Sequence, residues 1–224
     1  LFIGNSLTYF NDLPRTLAGL ALSAGDTIET ASVAKPNFAV IDHANGMSNA
    51  VDVIRGSHWD FVVLQQGPTS EQLGRDTLIL ATRRLDPDIR AAGGRTAEMM
   101  TWPNDDDRND FGEVRQSSQL AAEAVDGIFL PAGEAWRIAW TIDASLPLYG
   151  PDGFHPSPAG TYLAALVIYE TLTGHPAEAL PPRAVVNGQL LNLSSSIVRL
   201  LQRAAHEAVV RYPVTQSTNP SSRR

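Results

Sequence analysis

Asp60-Phe61-Val62-Val63-Leu64-Gln65-Gln66-Gly67-Pro68 is apolar from its second to its fifth residue and then turns polar at once. A run of this kind, with no polar alternation, is what a strand covered on both faces requires. Such strands belong to parallel sheets, whose crossover helices cover both sides. The run therefore predicts a central strand over residues 60–64 in an α/β fold.

The chain on either side agrees. Residues 1–3 (Leu-Phe-Ile) read as a short strand. Asp12 is a candidate N-cap for a helix over 13–24, with Pro14 in the first turn and Gly25 as the stop. A second strand is expected over 27–33 and a helix over 40–55. After the central strand come a helix over 75–92 closed by Gly93-Gly94, a strand over 96–101 and a helix over 112–124. A short strand over 127–130 and a helix over 133–141 follow. A well-patterned helix over 158–173 ends at Gly174. Alternation of strand and helix implies a three-layer α/β/α sandwich, flavodoxin-like, with a parallel sheet. In such sheets chemistry lies beyond the carboxyl ends of the strands.

With 224 residues and no internal repeat, the chain is expected to form one domain over 1–214. Its core covers about 1–176, a helical extension about 190–211, and residues 215–224 form a polar tail. No cysteine is present, which excludes disulfides, thiolate metal sites and a cysteine nucleophile. The net charge of -7 disfavours nucleic acid as a partner. No stretch reaches the roughly 18 apolar residues of a membrane span. Residues 1–3 read as the inside of a buried strand, so native residues are expected upstream, where a signal peptide has room. The compartment, cytoplasmic or secreted, and the oligomeric state are left open.

Two segments carry chemistry. Gly4-Asn5-Ser6-Leu7-Thr8 follows the first strand directly, so Ser6 sits where backbone N–H groups converge on a strand-to-helix corner. A serine nucleophile needs such a corner and a nearby base. A tight turn capped by Ser6 explains the same residues. Asp152-Gly153-Phe154-His155-Pro156-Ser157 precedes the 158–173 helix, and Pro156 and Pro158 stiffen it. An aspartate and a histidine three apart on a rigid loop can serve one serine, the histidine as base and the aspartate as its orienting partner. An Asx turn followed by an N-cap serine is the bland alternative.

Taken together, the two segments resemble the SGNH (GDSL-like) hydrolase superfamily over about residues 1–176. The resemblance implies Ser6 as nucleophile, with Asp152 and His155 completing a triad. Two further blocks depart from the family. Where a glycine usually supplies an oxyanion N–H, the chain reads Val33-Ala34-Lys35-Pro36-Asn37-Phe38-Ala39, leaving Asn37 or Lys35 as donor. Where an asparagine is usual, it reads Gln65-Gln66, which resembles a branch with Leu-Gln in this block. Gln65 is expected as the side-chain donor and Gln66 as second choice, beside the N–H of Ser6.

Tyr9 and Phe10 are expected to wall an acyl pocket. Trp102 is expected either at the rim, against a sugar or acyl chain, or as a loop anchor. Trp136 and Trp140, four apart on one helical face, are expected in the core. His43 is expected beside the site. His206 is expected to be exposed. The Asp105-Asp106-Asp107 run lacks the spacing of a calcium loop. The implied activity is hydrolysis of short-chain esters, with acetyl groups on carbohydrates leading, through an acyl-serine. It needs no metal or cofactor, and its partner is a small-molecule or carbohydrate ester. An acyltransferase with the same triad and a non-catalytic carbohydrate-binding relative are the alternatives.

Overall fold

The computed structural model describes residues 1–214; the expected 215–224 tail lies outside them. The elements in chain order are β1 (Phe2–Gly4), α1 (Ser6–Tyr9), α2 (Leu13–Ala24), β2 (Ser32–Ala34), α3 (Val40–Ala44) and α4 (Ala50–Arg55). Next come β3 (Phe61–Gln65), α5 (Gln72–Ala91), β4 (Arg95–Met99), α6 (Phe111–Glu123), β5 (Ile128–Leu130) and α7 (Ala132–Ile142). The chain continues through α8 (Pro158–Thr173), β6 (Val185–Val186), β7 (Gln189–Leu190) and α9 (Ser195–Arg211). Five strands form a parallel sheet in the order β2-β1-β3-β4-β5.

Successive side chains of a strand face opposite ways, and that alternation divides the core in two. Ile3, Val62 and Leu64 face a cluster with Val40, Ile54, Leu78 and Leu85 from α3, α4 and α5. Phe2, Val63, Ala97 and Met99 face the other way, into a larger cluster with residues of α2, α7, α8 and α9. The α8 helix is buried along almost its whole length, because α2, α7 and α9 all pack on it. That accounts for its apolar residues on every side. The architecture is the three-layer α/β/α sandwich expected from the sequence.

Several boundaries differ from expectation. The 27–33 strand shrinks to Ser32–Ala34. The 40–55 helix is two short helices, broken where Gly46 takes a φ of 79° and Met47 N–H returns to the Asp42 carbonyl at 3.0 Å. The 75–92 helix starts three residues earlier and runs through Pro87. The acidic 105–110 stretch is a 3-10 turn. The 190–211 helix begins at Ser195, behind a hairpin of β6 and β7 that turns on Asn187 and Gly188, both at positive φ. Val185-Val186-Asn187-Gly188-Gln189-Leu190 carries the Asn-Gly hairpin signal in plain view. No helix among the described residues is long and apolar enough to cross a membrane.

Candidate active site

The site assembles at the carboxyl ends of β1 and β3. Gly4 ends β1, and Asn5 caps the one-turn helix α1 that begins at Ser6. The Asn5 side chain works at both ends: Oδ1 accepts the Leu7 N–H at 3.1 Å, and Nδ2 donates to the Phe38 carbonyl at 3.0 Å. Beneath the turn lies Gln65, the last residue of β3 and fully buried. Its Oε1 accepts the Asn5 N–H at 2.9 Å and the Thr8 hydroxyl at 2.8 Å. Only glycine fits at position 4, since a Cβ there would sit 2.5 Å from Gln65 Oε1 and 2.6 Å from Thr8 Oγ1. From the side, His43 Nε2–H donates to the Gly4 carbonyl at 2.9 Å, which leaves Nδ1 facing the Ser48 hydroxyl at 2.7 Å. Burial holds the His43 imidazole below its ordinary pKa, with the Gly4 contact opposing, so the ring is neutral at neutral pH. The Ser6 turn is thus held from below and from the side by groups distant in sequence.

Asp152 and His155 lie on a closed loop before α8. Gly150 N–H donates to the His155 carbonyl at 2.7 Å and Ser157 N–H to the Leu148 carbonyl at 2.8 Å, with Gly153 at a φ of 66° between them. The Ser157 side chain caps α8 by accepting the Gly160 N–H at 3.1 Å. Within the loop, Asp152 Oδ2 lies 2.6 Å from His155 Nδ1. A carboxylate can only accept, so Nδ1 carries the proton and Nε2 is left as the basic nitrogen. The other oxygen, Oδ1, accepts the N–H groups of Phe154 and His155 at 3.1 and 2.9 Å. The His155 hydrogen bond, opposed by desolvation and helped by those N–H groups, holds Asp152 below its usual carboxylate range.

The Ser6 turn and the His155 loop meet. Phe10 stacks on the His155 ring with centroids 4.3 Å apart. Asn11 Nδ2 donates to the Pro156 carbonyl at 2.8 Å and to Thr161 Oγ1 at 2.9 Å. Ser6 and Phe154, the neighbour of His155, line one cavity of about 390 Å³ together with Asn37, Gln66 and Glu71. A larger cavity, about 780 Å³, opens at the amino ends of the strands near Leu1, Asp60 and Arg95. Among the described residues its lining includes His58 but no serine.

Among the described residues, the N–H groups of Ser6 and Asn37 have no hydrogen-bond partner, and both residues line the smaller cavity. Asn37 is exposed and takes a φ of 61°. Its neighbours are committed: Lys35 N–H to Gly4, Phe38 N–H to Lys35, and Ala39 N–H to Asp42. Lys35 is therefore removed as a donor.

The structure departs from expectation at Gln65, Tyr9 and His206, and decides between the two alternatives at Trp102. Gln65 does not open to the cavity; it is buried, its acceptor supports the turn, and its Nε2 has no partner among the described residues. Gln66 lines the cavity instead. Its Oε1 accepts the Val40 N–H at 3.0 Å, and Nε2 gives one proton to Thr69 Oγ1 at 2.9 Å, leaving the other uncommitted among the described residues. Trp102 is not at the rim. It is 1% exposed, stacked on Trp136 at 3.9 Å, and its Nε1–H donates to the Phe154 carbonyl at 3.1 Å. The ring is buried under the His155 loop and anchors it. Tyr9 is exposed and is not among the residues lining the Ser6 cavity. His206, expected to be exposed, is partly covered and pairs with Glu170 at 2.7 Å. The described residues hold no cluster of three or more metal-ligating side chains.

No protein-family model matches the chain, and no curated protein matches it. Among solved structures, a candidate SGNH hydrolase from Slackia heliotrinireducens superposes with a TM-score of 0.65 at 26% identity, over 76% of this chain and 96% of its own. The chain has the SGNH hydrolase fold. A DUF4886 family protein from Bacteroides uniformis shares that fold over 98% of this chain and 96% of its own, with a TM-score of 0.75 at 17% identity. A catalytic mutant of an acetylxylan esterase from Geobacillus stearothermophilus is similar over 77% of this chain and 92% of its own, with a TM-score of 0.54 at 16% identity.

Proposed function

We infer that the chain is a serine esterase that removes short acyl groups, with acetyl esters of carbohydrates as the leading substrate class. The observation that carries this reading is the Asp152–His155 pair at 2.6 Å, on a loop that packs against the Ser6 turn. The pair leaves His155 Nε2 free to act as a base.

In the reaction so inferred, Ser6 Oγ attacks the ester carbonyl while His155 Nε2 takes its proton. Asp152 holds the imidazolium through Nδ1–H. The Ser6 N–H, the Asn37 N–H and the second Nε2–H of Gln66 receive the developing oxyanion. As the bond to the alcohol breaks, His155 returns the proton to the leaving oxygen. Water, deprotonated by His155, then attacks the acyl-serine; the acyl–Oγ bond breaks, the acid leaves, and His155 returns the proton to Ser6 Oγ. Each oxyanion donor is worth about 3 kcal/mol of barrier in enzymes of this kind.

Support for a hydroxylated leaving group comes from the cavity walls, where Asn37, Gln66, Thr69 and Ser70 supply polar groups beside Phe38 and Phe154. The test is hydrolysis of p-nitrophenyl acetate and butyrate by wild type, Ser6→Ala and His155→Ala, followed by acetate release from acetylated xylan. Loss of activity in both variants and release of acetate support the reading. Equal rates in all three proteins remove it.

A further inference from the structure

The sequence suggests an acyl-pocket wall at Phe10, but the ring has a different neighbour. Phe10 is half exposed, and its ring has an aromatic partner. That partner is His155: the two rings lie 18° from parallel with centroids 4.3 Å apart. Phe154 meets the same imidazole edge-on, at 5.0 Å and 75°. The Asp152 side chain is half exposed, so water competes for the hydrogen bond that orients the base. One competed hydrogen bond leaves the imidazole plane poorly fixed, and a stacked ring restricts its rotation.

The backbone gives that stack a mechanical meaning. Phe10 ends the same helical turn that begins with Ser6, and its N–H donates to the Ser6 carbonyl at 2.8 Å. Asn11, the next residue, is tied to Pro156, the residue after His155. The nucleophile and the ring that stacks on its base therefore ride on one rigid turn.

We propose that Phe10 is a positioning residue whose stack on the His155 imidazole fixes the plane of the base relative to Ser6. The proposal rests on the triad reading above. Misplacing a reacting group by about 1 Å costs on the order of 100-fold in rate, so loss of the stack falls on kcat. A pocket wall would instead act through KM.

The experiment compares Phe10→Leu, Phe10→Tyr and Phe10→Trp on p-nitrophenyl acetate, with the His155 ring-proton resonances followed by NMR. Expected are a 10- to 100-fold loss of kcat in Phe10→Leu with little change in KM, and near wild-type kcat in the two aromatic variants. The His155 ring protons move downfield in Phe10→Leu, as they leave the shielding cone of the lost ring. Unchanged kcat in Phe10→Leu, a loss carried by KM alone, or unmoved His155 resonances overturns the proposal. His155→Ala separates the two levels. Activity retained there removes the triad and the proposal with it; activity lost there, with Phe10→Leu unaffected, removes the proposal alone.

Discussion

Glu98 lies in the middle of β4, between Leu64 and Phe129 on the flanking strands, and is 1% exposed. Its one side-chain partner among the described residues is Thr82, at 2.5 Å. The Thr82 hydroxyl also faces the Leu78 carbonyl at 2.9 Å and has one proton to give. A protonated Glu98 resolves this: its O–H donates to Thr82, which donates to Leu78. Desolvation pushes the Glu98 pKa up from 4.5 to about 8, with the Thr82 contact opposing. The folded state then holds a proton that the unfolded state releases above 4.5, so stability falls as pH rises through the window from 4.5 to about 8. At about 1.4 kcal/mol per pH unit, the loss between pH 5 and pH 8 is about 3 kcal/mol. Glu98→Gln is neutral in both states and abolishes that slope. Urea unfolding of wild type and Glu98→Gln at pH 5, 6, 7 and 8 isolates it, because every other titrating group cancels in the difference. The variant gains on wild type by about 3 kcal/mol across the series, or about 6–12 °C in Tm for a domain of this size. A stability difference independent of pH would refute the assignment of a neutral buried Glu98.

Three further outcomes follow from the site. Gly4→Ala drives a Cβ into Gln65 and Thr8; esterase activity falls by on the order of 100-fold, checked beside a thermal melt that stays cooperative. Gln65→Met leaves the Asn5 N–H and the Thr8 hydroxyl without an acceptor while removing the orphaned Nε2. The net loss by urea unfolding is about 1–2 kcal/mol, and kcat falls with it. Trp102→Phe keeps most of the packing on Trp136 but loses the hydrogen bond to the Phe154 carbonyl. Stability drops by about 1 kcal/mol, and hydrogen exchange rises at residues 152–157 more than in the sheet.

What the sequence made legible was what neighbours in sequence determine. The unbroken apolar run of β3 announced a doubly covered strand, and Gly-Asn-Ser and Asp-x-x-His announced two loops that belong together. Contacts across the fold were not legible in the same way. Whether Gln65 or Gln66 faces the cavity depends on strand register, and one residue of offset turns a side chain from the core to the site. Trp102 follows a strand as a rim residue would, yet α7 brings Trp136 against it, and no local pattern encodes that stack. The role of His43 under the Gly4 carbonyl, and of Asn11 against Pro156, each joins segments far apart in the chain. The β6–β7 hairpin differs from these, since its Asn-Gly turn is a local signal, set just before the longer helical pattern that follows.

In the proposed mechanism Ser6 is the nucleophile and His155 activates it. A fluorophosphonate probe tests this directly, because it reacts only with an activated serine and leaves a stable adduct that peptide mass spectrometry can locate. A single adduct on Ser6 is expected, absent in Ser6→Ala and formed far more slowly in His155→Ala. An adduct on another serine, or esterase activity in a protein whose Ser6 stays unlabelled, would contradict it.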